Sequence, residues 1–305
     1  MPELPEVETT VRGLRRTISG LKIKEVWTDL SAKDKRQKGA IANPKYFRTF
    51  RKQILNKKVL SAERRAKNIL INISGGKTIL IHLKMTGHLL YGKYKFEKNK
   101  WIPAEKGPLD DPYNRFIHAV FSFSNGKHLA FSDARKFGKI TLLPTKIAHN
   151  SKHLNNLGPE PLEKRFTWQK LKEQLQPAFA QGFGGRRIKT VLTDQSIVAG
   201  IGNIYSDEIL WRASVHPERK TSKINDTEVK LIWKAIKTTL SKGINFGGDS
   251  MSDYRNIYGL PGKFQLHHEA YRRTGEKCRK PNCRGIIKRK VINGRSAHFC
   301  SVHQK

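Results

Sequence analysis

The chain begins with apolar residues at helical spacing. They form one face of a helix that we predict over residues 5–18, and Gly20 ends it. The residues of this face are Val7, Val11, Leu14 and Ile18. From residue 22 to residue 144 the pattern changes to short apolar runs separated by turns, with Asn125-Gly126 as the strongest hairpin signal. Short strands at this spacing predict an antiparallel β-sandwich.

Beyond residue 144 the apolar residues return to helical spacing. They predict one helix near residues 168–175 and a stronger one over residues 229–240. Asn203 is a candidate cap for a further helix between them. Two stretches show no clear period: we predict a long, mobile insertion at 92–113 and a flexible, glycine-rich loop at 243–263.

Charge narrows the class of partner. The chain carries 60 Lys and Arg against 25 Asp and Glu, a formal net charge of +35. A fold this positive repels itself unless it binds a polyanion, and nucleic acid would release counterions on binding. No long basic amphipathic segment and no bilayer-length apolar run is present, so we expect no membrane partner. The acidic-polar beginning is unlike a signal peptide, which predicts an intracellular protein of the cytoplasm or nucleoid.

All three cysteines lie in a short C-terminal stretch. Cys278 and Cys283 precede a strand–turn–strand pattern, and Cys300 and His303 follow it. This spacing predicts a zinc ribbon in which one structural Zn²⁺ is held by three thiolates and one imidazole. Other histidines are less well spaced as the fourth ligand: His267, His268 and His298. The alternative is three free thiols beside an ordinary histidine.

The first six residues combine a proline with two carboxylates. If Met1 is removed, Pro2 becomes a secondary amine, with Glu3 and Glu6 nearby. A neutral amine attacks an electrophilic carbon such as a sugar C1′ and gives an iminium (Schiff-base) intermediate. A carboxylic acid beside it can exchange protons with the sugar or the leaving group. The alternative is that Pro2 and Pro5 only stiffen the start of the helix.

Seven motifs, in order, resemble those of the formamidopyrimidine-DNA glycosylase family (Fpg/Nei, or MutM), and the match covers nearly the whole chain. They lie at residues 2–8, 64–70, 82–87, 133–138, 157–162, 194–210 and 294–300. The resemblance implies an α+β multidomain fold. Its expected parts are an N-terminal helix plus antiparallel β-sandwich at 1–147, a helix-two-turn-helix domain at 148–268 and a zinc finger at 269–305.

The resemblance also implies a role for each matching residue. Pro2 would be the Schiff-base nucleophile, Glu3 the proton donor, Lys67 a proton-transfer group in β-elimination and Arg295 a residue of δ-elimination. Met85, Arg135 and Phe137 would enter the duplex where the damaged base is extruded. The remaining residues expected to contact DNA are Glu6, His118, Lys189 and Asn203, and for His118 the register is open.

We therefore predict a monomeric, bifunctional DNA glycosylase and abasic-site lyase of base-excision repair. Its substrate would be double-stranded DNA that carries oxidised purines such as 8-oxoguanine or formamidopyrimidines. One alternative is an endonuclease-VIII-like glycosylase for oxidised pyrimidines, and another is a non-catalytic DNA-damage binding protein. The chain departs from the family at the finger, where the first cysteine pair is widened to Cys-x₄-Cys and the last ligand is a histidine.

Overall fold

The computed structural model describes residues 1–31, 39–175 and 185–305. The chain forms two compact units: residues 1–155 with 246–263, and residues 156–245 with 264–305. The segment 246–263, which falls within the predicted middle domain, therefore belongs to the first unit.

Helix α1 spans Leu4–Thr17 and buries one apolar face, which confirms the helix predicted at this position. Its start is fixed by the Glu3 amide, which donates to the Glu6 carboxylate at 2.7 Å. Gly13 permits a close approach on the buried face. A Cβ there would lie 2.1 Å from Ile257 Cγ2, so a larger residue would push the 246–263 segment away.

Two four-stranded antiparallel sheets form the predicted sandwich. Their strands are β1 (Ile23–Thr28), β2 (Val59–Arg65), β3 (Asn68–Ile73), β4 (Lys77–His82), β5 (His88–Gly92), β8 (Ile117–Phe123), β9 (His128–Ser132) and β10 (Lys139–Pro144). One sheet has the order β1–β8–β9–β5 and the other β10–β4–β3–β2. Apolar side chains from both sheets, from α1 and from α2 (Pro44–Ile54) share one core.

The 92–113 segment differs from the predicted mobile insertion. Strands β6 (Tyr94–Glu97) and β7 (Lys100–Pro103) form a hairpin, and Lys98 and Asn99 take positive φ values of 49° and 62° at its turn. Trp27 on β1 packs against this hairpin, with ring centroids 5.7 Å from Phe96 and 6.3 Å from Trp101. Aromatic packing on the sheet thus organises residues that lack a local turn signal.

The second unit is helical and carries a two-stranded hairpin. Its elements are α3 (Trp168–Leu175), α4 (Ile188–Leu192), α5 (Asn203–Ala213), α6 (Asp226–Asn245), β11 (Ile287–Ile292) and β12 (Arg295–Cys300). Both predicted helices, at 168–175 and 229–240, are confirmed. The predicted cap is wrong by one residue, because Gly202 is the N-cap of α5 and Asn203 is its first helical residue.

Segment 246–263 contains no helix or strand, yet it is not the loose loop that its glycines suggested. Tyr254 and Ile257 are buried, and the Ile257 carbonyl accepts a hydrogen bond from the Tyr91 amide at 2.7 Å. Contacts with distant parts of the first unit therefore order this segment in place of regular secondary structure.

Across the described ranges, none of the helices combines the length and the apolar character needed to cross a bilayer.

Candidate functional site

The predicted reactive residues lie at the buried start of α1. Pro2 is buried, and Glu3 and Glu6 are each 2% exposed. One Glu6 carboxylate oxygen accepts from the Glu3 amide at 2.7 Å, and the other accepts from the Asp249 amide at 2.7 Å. Tyr254 Oη also donates to the Glu6 carbonyl at 3.0 Å. The glycine-rich segment 246–263 thus holds the first turn of α1.

Glu6 is a weak acid in this setting. Burial and, after it, the charge of Glu3 raise the pKa of Glu6 to about 7, although the two amide hydrogen bonds oppose the shift. A carboxyl with this pKa keeps its proton over much of the acidic range and exchanges it near neutral pH. The amine of Pro2 is blocked while Met1 is attached, and Met1 is 42% exposed and so open to removal.

Lys67 lies in the two-residue turn between β2 and β3, directly after Ala66, which has a φ of 52°. The lysine is 5% exposed. Its positive charge acts on His82 at the end of β4: burial, then the charges of Lys84 and Lys67, lower the pKa of His82 to about 3. His82 is therefore neutral at physiological pH and adds no charge beside Lys67.

Two neighbouring loops present the three predicted wedge residues. Met85 is 41% exposed and Phe137 is 45% exposed, although both are large and apolar. The Arg135 guanidinium lies over the Phe137 ring at 4.7 Å from its centroid. The structure thus brings Met85, Arg135 and Phe137 to one surface formed by the ends of β4 and β9.

Asp133 ties these loops together. It is fully buried, accepts from the Thr86 hydroxyl and accepts from the Gly138 amide at 2.7 Å. The Arg135 amide donates to both Thr86 Oγ1 (3.1 Å) and Asp133 Oδ1 (3.3 Å). Asp133 was not predicted as a site residue, although it is the first residue of the 133–138 motif. The signal that could have identified it is a carboxylate two residues before the exposed Arg-Lys-Phe stretch.

His118 on β8 forms its side-chain hydrogen bond with Asp29, which belongs to neither of these two loops. It is 9% exposed, and its Nδ1 lies 2.8 Å from a carboxylate oxygen of Asp29. The ring therefore has a partner within the first unit.

In the second unit, Lys189 of α4 is buried and forms an ion pair with Asp207 of α5. Its ammonium also donates to Ser206 Oγ at 3.2 Å. The second Asp207 oxygen accepts from the His298 amide at 2.9 Å and lies 2.9 Å from the His298 ring nitrogen Nδ1. Asp207 therefore joins α4, α5 and β12 around one buried carboxylate, which the sequence analysis overlooked.

A basic cavity of about 270 Å³ lies between α4 and the β11–β12 turn. Lys189 and Arg295 both line it, together with Arg186, Asp194 and Asn293. Asn203 is linked to the same hairpin, because its Nδ2 donates to Oγ of Ser296, the residue after Arg295, at 3.4 Å. Three residues predicted from separate motifs are thus neighbours in the structure.

The cysteine-rich end forms a cluster that fits a metal ion. The ligand atoms of Cys278, Cys283, Cys300 and His303 all lie within 4.8 Å of one another. His303 Nδ1 lies 3.4 Å from Cys278 Sγ and 3.8 Å from Cys283 Sγ. Its other nitrogen, Nε2, donates to the Trp211 carbonyl at 3.1 Å, which leaves Nδ1 as the ligand atom.

The surroundings of the cluster agree with this ligand set. His298 is bonded to Asp207, and neither His267 nor His268 is part of the cluster, so His303 is the fourth member. A Cβ on Gly285 would lie 2.4 Å from Cys300 Sγ, so only glycine fits beside that sulfur. Three thiols and one imidazole, closely grouped, suit a tetrahedral site.

Comparison with known proteins agrees with this architecture. Residues 1–140 match the model of the formamidopyrimidine-DNA glycosylase N-terminal domain, and residues 157–255 match the model of the H2TH domain of the same enzymes. The formamidopyrimidine-DNA glycosylase of Pelotomaculum thermopropionicum is 37% identical over 310 residues, which cover 100% of this chain and 99% of the relative. The Bacillus subtilis relative of the same name is 34% identical, with coverage of 100% and 99%.

A solved structure of Lactococcus lactis Fpg with DNA containing an abasic site is similar over 99% of both chains, with a TM-score of 0.81 and 30% identity. A mutant of that protein bound to DNA containing Fapy-dG matches over 100% of both chains, again with a TM-score of 0.81 and 30% identity. The predicted family and fold class are thereby confirmed. This chain belongs to the formamidopyrimidine-DNA glycosylase family.

Proposed function

We propose that this protein removes oxidised purines from duplex DNA and then cuts the strand at the resulting abasic site. The observation that carries the proposal is the buried group of Pro2, Glu3 and Glu6 at the start of α1. The comparisons support the substrate class, because the sequence relatives are named for formamidopyrimidine and the similar Lactococcus lactis structures contain abasic-site and Fapy-dG DNA.

The chemistry begins once Met1 is removed. The lone pair of the Pro2 nitrogen forms a bond to the sugar C1′, and the C1′–N bond to the damaged base breaks. The base leaves with the electron pair of that bond and takes up the proton that the Pro2 nitrogen releases. Glu3 protonates the ring oxygen O4′ as the C1′–O4′ bond breaks, which opens the sugar. The sugar is then held as an iminium on Pro2.

Strand cleavage follows from the same intermediate. Loss of a proton from C2′ of the iminium expels the 3′ phosphate, and a second elimination expels the 5′ phosphate. Lys67 would transfer a proton at this stage, and its burial near a neutral His82 supports that role. Arg295, at the basic cavity, serves the second elimination and the phosphates around the lesion.

The other predicted residues hold the DNA. Met85 and Phe137 enter the gap left by the extruded base, and Arg135 donates to the edge of the unpaired partner base. Exposed apolar side chains on two fixed loops support this role, because a wedge must be in place before the base leaves. Asn203 would act on phosphates near the basic cavity, and Lys189, whose ammonium is paired with Asp207, would hold the wall of that cavity in place for them.

The remaining two residues of the predicted DNA-binding set have partners in the first unit. Glu6 would act beside the nucleophile, where its carboxyl is held by two amides. His118 would approach the DNA only through the ring edge that Asp29 does not occupy.

We further propose that Cys278, Cys283, Cys300 and His303 hold one structural Zn²⁺. When bound, the zinc would crosslink these residues at the base of the β11–β12 hairpin. The hairpin carries Arg295, so the crosslink would fix the position of that side chain.

The test is borohydride trapping on a duplex with one 8-oxoguanine opposite cytosine. We expect a covalent protein–DNA adduct at Pro2 with the wild type and a severe loss of adduct with Pro2→Gly, while DNA binding persists. Pro5→Gly is the matched control, because it also removes a stiff residue from the start of α1 but leaves the amine intact.

Three results would contradict the proposal or its parts. Equal losses in Pro2→Gly and Pro5→Gly would mean that proline stiffness, rather than the amine, is what matters. An adduct with thymine glycol but none with 8-oxoguanine would move the lesion preference to oxidised pyrimidines. Tight DNA binding without an adduct on lesion or abasic DNA would favour the damage-binding alternative.

A further inference from the structure

We propose that Arg255 is a positioning residue for base excision, which it serves by fixing an arch formed by residues 249–255. The proposal rests on the proposed function, because it assigns this arch to the extruded base. Asp111 and Tyr113, which belong to the segment that follows the β6–β7 hairpin, hold Arg255 in place.

The arch is closed on itself. Ser250 Oγ donates to the Tyr254 carbonyl at 2.7 Å, and the Met251 amide donates to Asp249 Oδ1 at 3.1 Å. Arg255 closes the same turn, since one of its terminal nitrogens donates to the Ser252 and Tyr254 carbonyls, both at 2.9 Å. Met251 and Ser252 at the tip are exposed.

One end of the arch is attached to the reactive group. The Asp249 amide donates to the Glu6 carboxylate, and a Cβ on Gly248 would lie 2.9 Å from the same side chain. The exposed tip therefore begins two residues after Asp249, whose amide bonds a carboxylate of the same helix turn that Pro2 precedes. We assign this tip to the extruded base, because enzymes that act on a base read it with polar groups after it has left the stack.

The other end is clamped by Arg255. Its Nε donates to Asp111 Oδ2 at 3.0 Å, and its guanidinium lies 4.4 Å from the centroid of the Tyr113 ring. The Arg255 side chain is 8% exposed. Because the guanidinium is buried, paired with a carboxylate and stacked on a ring, it holds residues 249–255 in one conformation.

A second contact between the same segments reinforces the clamp. Asn114 is 1% exposed, and its Nδ2 donates to the Pro108 carbonyl at 3.0 Å and to the Gly259 carbonyl at 3.4 Å. Gly259 has a φ of +83°, and a Cβ there would lie 2.5 Å from the Pro108 oxygen. His88 Nε2 donates to Asn114 Oδ1 at 3.0 Å, which fixes the amide from the β5 side.

Base excision and abasic-site cleavage should therefore depend differently on Arg255. Contacts of the arch tip with a base exist only while the base is attached, whereas elimination at an abasic site involves the sugar and phosphates alone. Arg255 should consequently matter for the first reaction and not for the second.

The experiment measures single-turnover rates on two duplexes that differ at one position, either 8-oxoguanine or a pre-formed abasic site. We expect Arg255→Met to slow base excision by about tenfold, since a displacement of about 1 Å in a catalytic group costs up to about a hundredfold. Abasic-site cleavage should stay at the wild-type rate. Arg51→Met is the matched control, because it removes an equal charge and an arginine–carboxylate pair elsewhere in the first unit.

Milder variants separate positioning from folding. Arg255→Lys keeps the ion pair but loses the planar stack, so it should recover part of the excision rate. Asp111→Asn keeps the oxygen that accepts from the Tyr113 amide at 2.9 Å while it removes the charge, and it should slow excision alone. These variants decide the question if Arg255→Met does not fold.

Equal losses on both duplexes in these variants, or wild-type rates on both, would overturn the role of Arg255. A wild-type protein that acts on neither duplex would instead refute the proposed function, so the two failures are distinguishable.

Discussion

Glu6 in the first unit and Asp207 in the second are both buried carboxylates that accept backbone amides, but their charged neighbours differ. Burial raises the pKa of Glu6, and its charged neighbours, the carboxylates of Glu3 and Asp249, act in the same direction. Asp207 instead pairs with the Lys189 ammonium and with His298. The comparison separates two uses of a buried acid. A carboxylate that is matched by a cation holds elements together, whereas one that faces other carboxylates retains a proton for chemistry.

The largest expected effect lies at the cysteine–histidine cluster. This cluster is connected to Asp207 through β12, which carries both Cys300 and His298. Removal of metal with a chelator should abolish the ordered hairpin, because structural zinc contributes about 10–16 kcal/mol of apparent binding free energy in zinc-finger peptides. We expect loss of DNA binding in a fluorescence assay and its return when Zn²⁺ is added.

A matched pair of variants tests the same site without a chelator. Gly285→Ala should weaken zinc binding, since its Cβ would lie 2.4 Å from Cys300 Sγ. Gly39→Ala, where a Cβ meets nothing within 4 Å, should bind zinc as the wild type does. Unchanged DNA binding after proven loss of metal would contradict a structural role for the cluster.

The next effect is at Asp207. Asp207→Asn leaves the buried Lys189 ammonium without its counter-charge, and breaking a buried pair in this way costs about 3–5 kcal/mol. Urea unfolding measures the loss. The control is Asp226→Asn, whose partner Lys172 lies 2.7 Å away in an exposed pair and should cost less than about 1 kcal/mol. Similar unfolding midpoints for Asp207→Asn and Asp226→Asn would show that the buried pair stabilises the fold no more than the exposed one. Asp207 would then not have the structural use that we contrast with Glu6.

The smallest effect is a pH dependence at Glu6. Its carboxyl has a pKa of about 7 in the folded chain against an ordinary value of 4.5, so the folded state keeps the proton more tightly. Stability is therefore lost as the pH rises from about 4.5 through about 7, by about 3 kcal/mol in total. Glu6→Gln should lack this loss, so its stability relative to wild type should increase over that window.

Thermal unfolding at several pH values measures the difference, in chains with an N-terminal tag that prevents removal of Met1. The comparison cancels other titrating groups, because both proteins share them. A constant difference between Glu6→Gln and wild type from pH 4 to pH 8 would show that Glu6 ionises normally.

Local pattern was sufficient for the elements that bury one face. The helix predicted over residues 5–18 is observed at Leu4–Thr17, one residue away at each end, because side-chain direction follows directly from helix geometry. The β6–β7 hairpin was missed, since Lys98 and Asn99 form its turn without the glycine that normally marks a positive φ.

The candidate site was predicted by motif rather than by contact. The grouping of Pro2, Glu3 and Glu6 follows from their adjacency in the chain, and the four metal ligands follow from their spacing. Asp249 and Glu6 are 243 residues apart, and no local pattern reveals that an amide there bonds this carboxylate. Asp207 was missed for a similar reason, because its partners Lys189 and His298 come from opposite sides of it in the sequence.

The link between Thr86 and Asp133 has a consequence for the energetics of binding. Because one buried carboxylate orders both loops in the free protein, the backbone entropy of the segments that carry Met85, Arg135 and Phe137 is largely lost during folding. The proposed wedge would then lose less freedom at each encounter with DNA, and it would probe and release intact base pairs without refolding a loop.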